Sequence, residues 1–208
     1  MMSNTVITIG REYGSGGRLI GKKLADELGF AFLDKELITM AAQKSGMSPQ
    51  LFADIDENAT NSLLYSLATG AYMMGGRMAP SSDMPMTDKL FILQSNIIRE
   101  EAEKGPCVVV GRCADYVMEG KEKVLNIFIQ APFEDRVERA VTQYGLAEKG
   151  AADAVRRTDK KRANYYNYYS NRKWGRAGNY HLCLDSSVLG IDGSVRLLKD
   201  FVLEAQKG

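Results

Sequence analysis

The sequence predicts an α/β protein built on a five-stranded parallel sheet flanked by helices. Three observations predict it. Residues 6–34 read strand, glycine-rich turn, helix, strand, the plan of a phosphate-binding βαβ unit. Further short apolar runs follow, separated by helical patterns, which is how a parallel sheet covered on both faces reads. The chain's 208 residues, 45% of them hydrophobic, suffice for one good core, so a single domain over 1–208 is expected.

The elements follow in order. Val6 to Ile9 is a β-branched strand run. Gly10, Gly14, Gly16 and Gly17 make the turn, and Leu19, Ile20, Leu24, Ala25 and Leu28 line one face of the first helix. A second apolar run ends at Asp34. Residues 35–45 read as helical, and Ser48-Pro49 marks another helix start. Between Gly70 and Pro85, glycine, proline, serine and methionine crowd together, the composition of a mobile loop with an adaptable surface. Residues 45–95 are read as a helical insert. Thr87 caps a helix to Lys104, with Leu90, Leu93, Ile97 and Ile98 on one face. Cys107 to Val110 and Val124 to Ile129 are buried strands, and Pro132 to Tyr144 is a helix carrying Arg136 and Arg139. Residues 151–172 form a basic, aromatic helix, Tyr180 to Leu184 the last strand, and Ile191 to Ala205 the last helix. Glycines 145 and 150 at one end and 175 and 178 at the other make 145–178 a lid-like segment hinged at both ends.

Composition excludes several classes. With 27 basic and 26 acidic residues, no global field argues for nucleic acid or a membrane surface. Cys107, Cys113 and Cys183 lack metal spacing and suit a reducing compartment. The amino terminus does not read as a signal peptide, and no apolar run approaches the roughly 18 residues of a membrane span. A cytoplasmic protein is expected. His181, the single histidine, lies in a strand-like run and is read as packed, which leaves no histidine for a triad.

The glycine turn carries the chemistry. Glycines let successive N–H groups face one anion, and the following helix points its positive end at the same place. An ordinary phosphate-binding P-loop reads G-x-x-x-x-G-K-[ST], the lysine reaching the β/γ-phosphates and the hydroxyl binding Mg²⁺. With Gly16 as the last loop glycine, Gly17 stands at the lysine position, Arg18 at the hydroxyl position and Arg11 at the first-glycine position. Arg18 or Arg11 can replace the lost charge, but a guanidinium has no lone pair for Mg²⁺. Nucleotide-binding candidates are therefore Arg11, Gly14, Ser15, Gly16, Gly17 and Arg18. A rival reading takes Gly10, Gly14 and Gly16 as a dehydrogenase cofactor loop, with Asp34 on the ribose and Tyr169 and Lys173 as a Y-x-x-x-K pair. That chemistry wants a serine shortly before the tyrosine, and none lies between Ser95 and Ser170.

Three further segments matter. The run VVVGRCAD at 108–115 ends a buried strand in Gly111-Arg112, so Arg112 emerges where ligands sit in parallel sheets. Its fork of donors suits a substrate phosphate; a salt bridge to Asp115 or Asp34 is the alternative. The helix at 154–166 carries Arg156, Arg157, Lys160, Lys161 and Arg162, either a lid that neutralises a transferring phosphoryl group or a solvated basic face. Its tyrosines, with Trp174, could stack bases but at helical spacing are read as a packing face. The run LCLDSSVLGID at 182–192 closes the sheet, with Asp185 or Ser186 near a nucleotide base or simply capping a helix.

Together these segments resemble the cytidylate kinases, and more closely their divergent branch, the cytidylate kinase-like proteins. ITIGREYGSGGRLIGKKLADELGFAFLD lies where cytidylate kinases have their P-loop, first helix and acceptor-site strand. VVVGRCADYV looks like their strand ending in Gly-Arg-Asp, with Cys113 in the aspartate's place and Asp115 two residues on. IFIQAPFEDRVERAV is similar to their strand and arginine-bearing helix, and LCLDSSVLGID to their closing strand and turn. The resemblance implies a P-loop NTPase-like sheet with an acceptor-binding insert over 45–95, a lid over 145–178, and transfer of the ATP γ-phosphate to CMP or dCMP with Mg²⁺. Catalytic roles would fall to Arg18, Arg157 and Arg162. Arg112, Asp34 and Asp115 would serve the acceptor, the two aspartates orienting it or holding Mg²⁺ through water. The partners expected are a nucleotide and a small phosphate-bearing acceptor.

The departures are specific. The P-loop lysine and serine are absent, the lid keeps Asp159 and Arg157 without the fuller pattern, and Lys35 to Met40 lack the threonine, glycine and arginine of the acceptor site. Two functions therefore stand side by side: a nucleotide kinase, and a nucleotide-binding regulator that has lost turnover.

Overall fold

The structure, a computed structural model, describes residues 4–34, 37, 39, 40, 43 and 85–207. The chain divides into two compact units, Met1–Asp34 with Ile98–Gly208, and Lys35–Ile97. The first unit carries five strands: β1 (Val6–Arg11), β2 (Ala31–Leu33), β3 (Cys107–Val110), β4 (Val124–Gln130) and β5 (Leu182–Asp185). All neighbours pair in parallel, in the order β2-β3-β1-β4-β5. The helices are α1 (Gly17–Leu28), α2 (Met86–Lys104), α3 (Ala114–Val117), α4 (Phe133–Thr142), α5 (Ala151–Ser170) and α6 (Ser186–Ala205), with a short 3-10 turn at Ala177–Asn179.

The sheet forms because its central strands are mostly apolar, as burial on both faces requires, and Thr8 of β1 donates to Asn126 of β4 (2.7 Å). In register, Ile7 sits beside Val108 on one side and Leu125 on the other. Ile7, Ile9, Val108, Val110, Ile127 and Ile129 make a core with Ile20 and Leu24 of α1 and Val195, Leu198 and Val202 of α6. Each such side chain, wholly withdrawn from water, contributes about 1.5–3 kcal/mol. The chain leaves β1 towards β2 on one side and reaches β4 and β5 on the other. That reversal puts the turns after β1 and β3 side by side at the carboxyl edge, where open α/β sheets bind ligands.

Several boundaries move from the sequence reading. Helix α2 starts at Met86, so Thr87 lies inside its first turn rather than capping it; Leu90, Ile97 and Ile98 are buried and Leu93 half-buried. Helix α4 spans Phe133–Thr142 rather than 132–144, and α5 stops at Ser170, where Asn171 turns left-handed. Strand β5 begins at Leu182 rather than Tyr180, which closes the 3-10 turn at Ala177–Asn179. Helix α6 begins at Ser186, capped by Asp185, and breaks at Gly190 before the stretch expected from Ile191. Leu37, Thr39, Met40 and Gln43 are helical. The rest of 35–45, the Ser48-Pro49 start, the loop at 70–84 and most of the 45–95 insert lie outside the described residues. Among the described residues, no helix is long and apolar enough to cross a membrane.

Candidate functional site

Strand β1 delivers the chain into a loop, Glu12 to Gly16, that opens directly into α1. The loop is shaped from outside. Arg136 of α4 donates to the Tyr13 carbonyl (3.2 Å), Arg139 to the Gly14 carbonyl (2.5 Å), and Ser186 Oγ to the Ser15 carbonyl (2.6 Å). Three successive carbonyls are thus held by neighbouring side chains, while the Ser15 N–H donates to the Glu12 carbonyl (3.4 Å), the Gly16 N–H to the Tyr144 hydroxyl and the Gly17 N–H to Ser15 Oγ (3.3 Å). The N–H groups of Gly14 and Arg18 meet no acceptor among the described residues. Gly14 has φ +83°, and a Cβ there would stand 2.3 Å from the Arg136 carbonyl oxygen, so only glycine lets loop and α4 approach this closely.

Arg136 ties these parts together. It is buried, sits 2.5 Å from Asp159 and 3.3 Å from Glu12, and donates Nε–H to the Ala131 carbonyl. Asp159 of α5 also accepts the Tyr13 N–H (2.7 Å), so the loop, α4 and α5 form one hydrogen-bonded clamp. Burial raises the Glu12 carboxyl, partly offset by the Ala131 N–H and the Arg136 guanidinium. Tyr144, just past α4, packs edge-on against Tyr13 with ring centres 5.8 Å apart. Its hydroxyl is raised by burial and partly lowered by Arg139, Arg162 and the Gly16 N–H.

Beside the loop lies a cluster of arginines around one carboxylate. Arg18 Nε is 2.5 Å from Asp34 Oδ2, and Arg11 Nη2 is 3.9 Å from Asp34 Oδ1. Arg11 is held well below the ordinary guanidinium range, first by burial, then by Arg162, against which Asp34 acts, and further by Arg112 and Arg18. Its Nε is buried without a hydrogen-bond partner among the described residues. The guanidinium passes under the turn after β3: a Cβ on Gly111 would lie 2.0 Å from Arg11 Nη1. Gly111, Arg112 and Cys113 are consecutively left-handed, with φ of 77°, 58° and 53°. For the two non-glycine residues that conformation costs roughly 1–2 kcal/mol each, strain of the kind stored at functional sites. Arg162 reaches from α5 to donate to the Arg11 carbonyl (3.1 Å) and lies over the Tyr13 ring. Burial lowers it too.

Of the residues singled out from sequence, the structure brings together Arg11, Gly14, Ser15, Gly16, Gly17, Arg18, Asp34, Arg112 and Arg162. It does not bring in two others. Arg157 is exposed and has no ion-pair or hydrogen-bond partner among the described residues. Asp115 is buried and accepts the Tyr166 hydroxyl (2.6 Å), its carboxyl raised by burial. Asp185 caps α6 through Ser187, and Ser186 braces the loop. His181 is exposed rather than packed, its Nδ1 accepting the Asn126 N–H at the sheet edge. The tyrosines of α5 pack on one another, with Tyr169 against both Tyr165 and Tyr168, as the sequence reading favours.

The donors do not fit a side-chain-held Mg²⁺. Arg18 occupies the hydroxyl position, and Asp34 already faces two guanidiniums. Among the described residues no three His, Cys, Asp or Glu side chains converge on a metal position.

Comparison with known proteins agrees with this geometry. Residues 6–188 match the cytidylate kinase-like family. A cytidylate kinase of Methanopyrus kandleri strain AV19 is 23% identical over 205 residues, covering 94% of this chain and 92% of its own. Among solved structures, an uncharacterised protein from Eubacterium ventriosum ATCC 27560 is similar at TM-score 0.70 and 26% identity, covering 95% of this chain and 98% of that one. Shikimate kinase from Bacteroides thetaiotaomicron shares the fold at TM-score 0.54 and 16% identity, over 95% of this chain and 98% of its own. With a five-stranded parallel sheet of the P-loop kinase type and a family match over nearly its whole length, the chain belongs to the cytidylate kinase-like family.

Proposed function

We propose that this chain is a cytoplasmic phosphotransferase that moves the γ-phosphate of ATP to a small phosphate-bearing acceptor, a nucleoside monophosphate of the CMP or dCMP type. The observation that carries this reading is the group of four arginines, 11, 18, 112 and 162, packed beside a glycine loop at the carboxyl edge of the sheet. Among the described residues a single carboxylate, Asp34, pairs with Arg11 and Arg18. So much positive charge, partly buried, is stable only when an anion completes it.

In this reading Gly14 to Arg18 cradle the triphosphate through backbone N–H groups, and Arg11 and Arg18 supply the charge of the missing lysine. Arg112 grips the acceptor phosphate. One of its oxygens attacks the γ-phosphorus as the bond to the β,γ-bridging oxygen breaks and ADP leaves. Arg162, joined to the Arg11 carbonyl, neutralises charge on the transferring group, with Arg157 reaching in from solvent when the 145–178 lid closes. Catalysis is then positioning plus electrostatics. Asp34 and Asp115 orient the acceptor side, Asp34 by steering the arginines and Asp115 by fixing Tyr166 of α5.

The test is a thermal-shift screen with ATP and CMP, followed by a coupled ADP-release assay over a panel of monophosphates. ADP release that depends on one acceptor supports the enzyme. The second reading, a non-catalytic nucleotide-binding regulator, is favoured by Gly17 and Arg18 standing where the lysine and hydroxyl belong. Stabilisation by ATP without ADP release for any acceptor would select it. No stabilisation by ATP would reject both.

A further inference from the structure

In P-loop enzymes a Ser or Thr hydroxyl at the start of the first helix and a nearby carboxylate hold Mg²⁺, which neutralises the β- and γ-phosphates. Here both elements are replaced. The hydroxyl position is Arg18, which can only donate, and its Nε lies 2.5 Å from Asp34 Oδ2. The other Asp34 oxygen faces Arg11 Nη2 at 3.9 Å. Among the described residues, two further carboxylates of the loop wall are engaged as well: Asp159 by Arg136 and the Tyr13 N–H, Glu12 by Arg136 and the Ala131 N–H. A divalent cation entering here would displace a guanidinium from Asp34 and sit against like charge.

The site instead supplies its own cations. Arg11 is half-buried under Gly111, its buried Nε has no hydrogen-bond partner among the described residues, and its guanidinium adjoins Arg18, Arg112 and Arg162. We propose that this chain binds the polyphosphate of its nucleotide as the metal-free anion, with the guanidiniums of Arg11 and Arg18 in the charge-neutralising place of Mg²⁺. Asp34 is then a stand-in anion: it holds Arg18 until phosphate oxygens take over as its acceptors. The inference rests on the reading of the glycine loop as a nucleotide phosphate site and makes a separate claim about the ion that accompanies the phosphates.

Isothermal titration calorimetry tests it, with ATP and with inorganic tripolyphosphate as a base-free probe, each in excess EDTA and in excess Mg²⁺. The expected result is binding of both probes in EDTA, with affinity equal to or tighter than in Mg²⁺. Arg18→Ser restores the hydroxyl and releases Asp34; because the Arg18 side chain is 56% exposed, the variant should fold. It should bind at least about tenfold more weakly in EDTA and recover on adding Mg²⁺, while Arg18→Lys, which keeps the charge, should lose less in EDTA. Wild-type protein that binds ATP at least tenfold more tightly with Mg²⁺ than with EDTA overturns the inference and leaves the phosphate site standing. Binding of neither probe in either medium overturns the phosphate site itself.

Discussion

Gly14→Ala isolates the contact that shapes the loop. At φ +83° an alanine enters the left-handed region, which costs roughly 1–2 kcal/mol. Its Cβ would also lie 2.3 Å from the Arg136 carbonyl oxygen, where ordinary contact begins at 3.4 Å. That oxygen belongs to the backbone of α4, so it cannot swing aside as a side-chain tip would. Adding an overpacking cost of roughly 1–3 kcal/mol gives about 3 kcal/mol in all. Gly29→Ala is the internal control: φ is +68°, but nothing lies within 4 Å of the new Cβ, so only the backbone cost of about 1 kcal/mol applies. For a chain of this size the two figures convert to melting shifts of roughly 6–12 °C and 2–4 °C. Urea denaturation with an unchanged slope would show that stability alone has moved. Because the same clash pushes the loop off α4, Gly14→Ala should also weaken ATP binding, and Gly29→Ala should not. Equal melting shifts for the two variants would refute the reasoning, since it is the Arg136 carbonyl that separates them.

Further outcomes follow from the same contacts. Arg136→Met leaves Glu12 and Asp159 without their shared partner and should cost about 3–5 kcal/mol by chemical denaturation; a loss below about 1 kcal/mol would show that the clamp does not support the fold. Burial raises the Asp115 carboxyl above its unfolded value of about 3.9, so its favourable contribution is fully present below that pH and is lost as pH rises through the folded pKa. Asp115→Asn keeps an acceptor for Tyr166 and cannot ionise, so its stability relative to the parent should improve from about pH 4 to 7; a flat difference in urea midpoints would contradict this. Burial pushes the Cys107 thiol up to about 11 and Cys113 further, whereas Cys183 is exposed. Titration of the native protein with a thiol-specific disulfide reagent should label Cys183 alone, and all three cysteines only after unfolding.

What could be read from the sequence was local. β1, β3 and β4 are apolar runs whose period needs no knowledge of their partners, and the glycines of the first turn stand together within eight residues. Arg11, Arg18 and Asp34 could be picked out as well, because a strand, a turn and one helix bring them to the same edge. The clamp could not be read in this way. Arg136 and Arg139 were visible only as charges on an amphipathic helix, and Tyr144 only as the residue closing that helix. Their partners lie 123 and 125 residues away at Tyr13 and Gly14, while Asp159 reaches Tyr13 across 146 residues.

Asp115 and His181 show the same limit from the other direction. An aspartate three residues beyond Gly-Arg suggests a ligand-facing carboxylate, yet the left-handed turn at Gly111 to Cys113 carries it to a buried tyrosine. The lone histidine, set in an apolar-looking run, comes out at an exposed strand end, where Asn126 takes its Nδ1. Composition, period and glycine spacing by themselves determined a parallel α/β sheet with a glycine-rich turn between its first strand and first helix, since each depends on neighbours in the chain. Only tertiary structure decided which charges meet: Asp34 is shared by two arginines, Asp159 is spent on the loop, and Arg157 is left in solvent. Those pairings depend on distances across the fold, and a Coulombic contact between segments far apart in the chain, unlike the i,i+4 pair of Lys22 with Asp26, has no signature in sequence spacing.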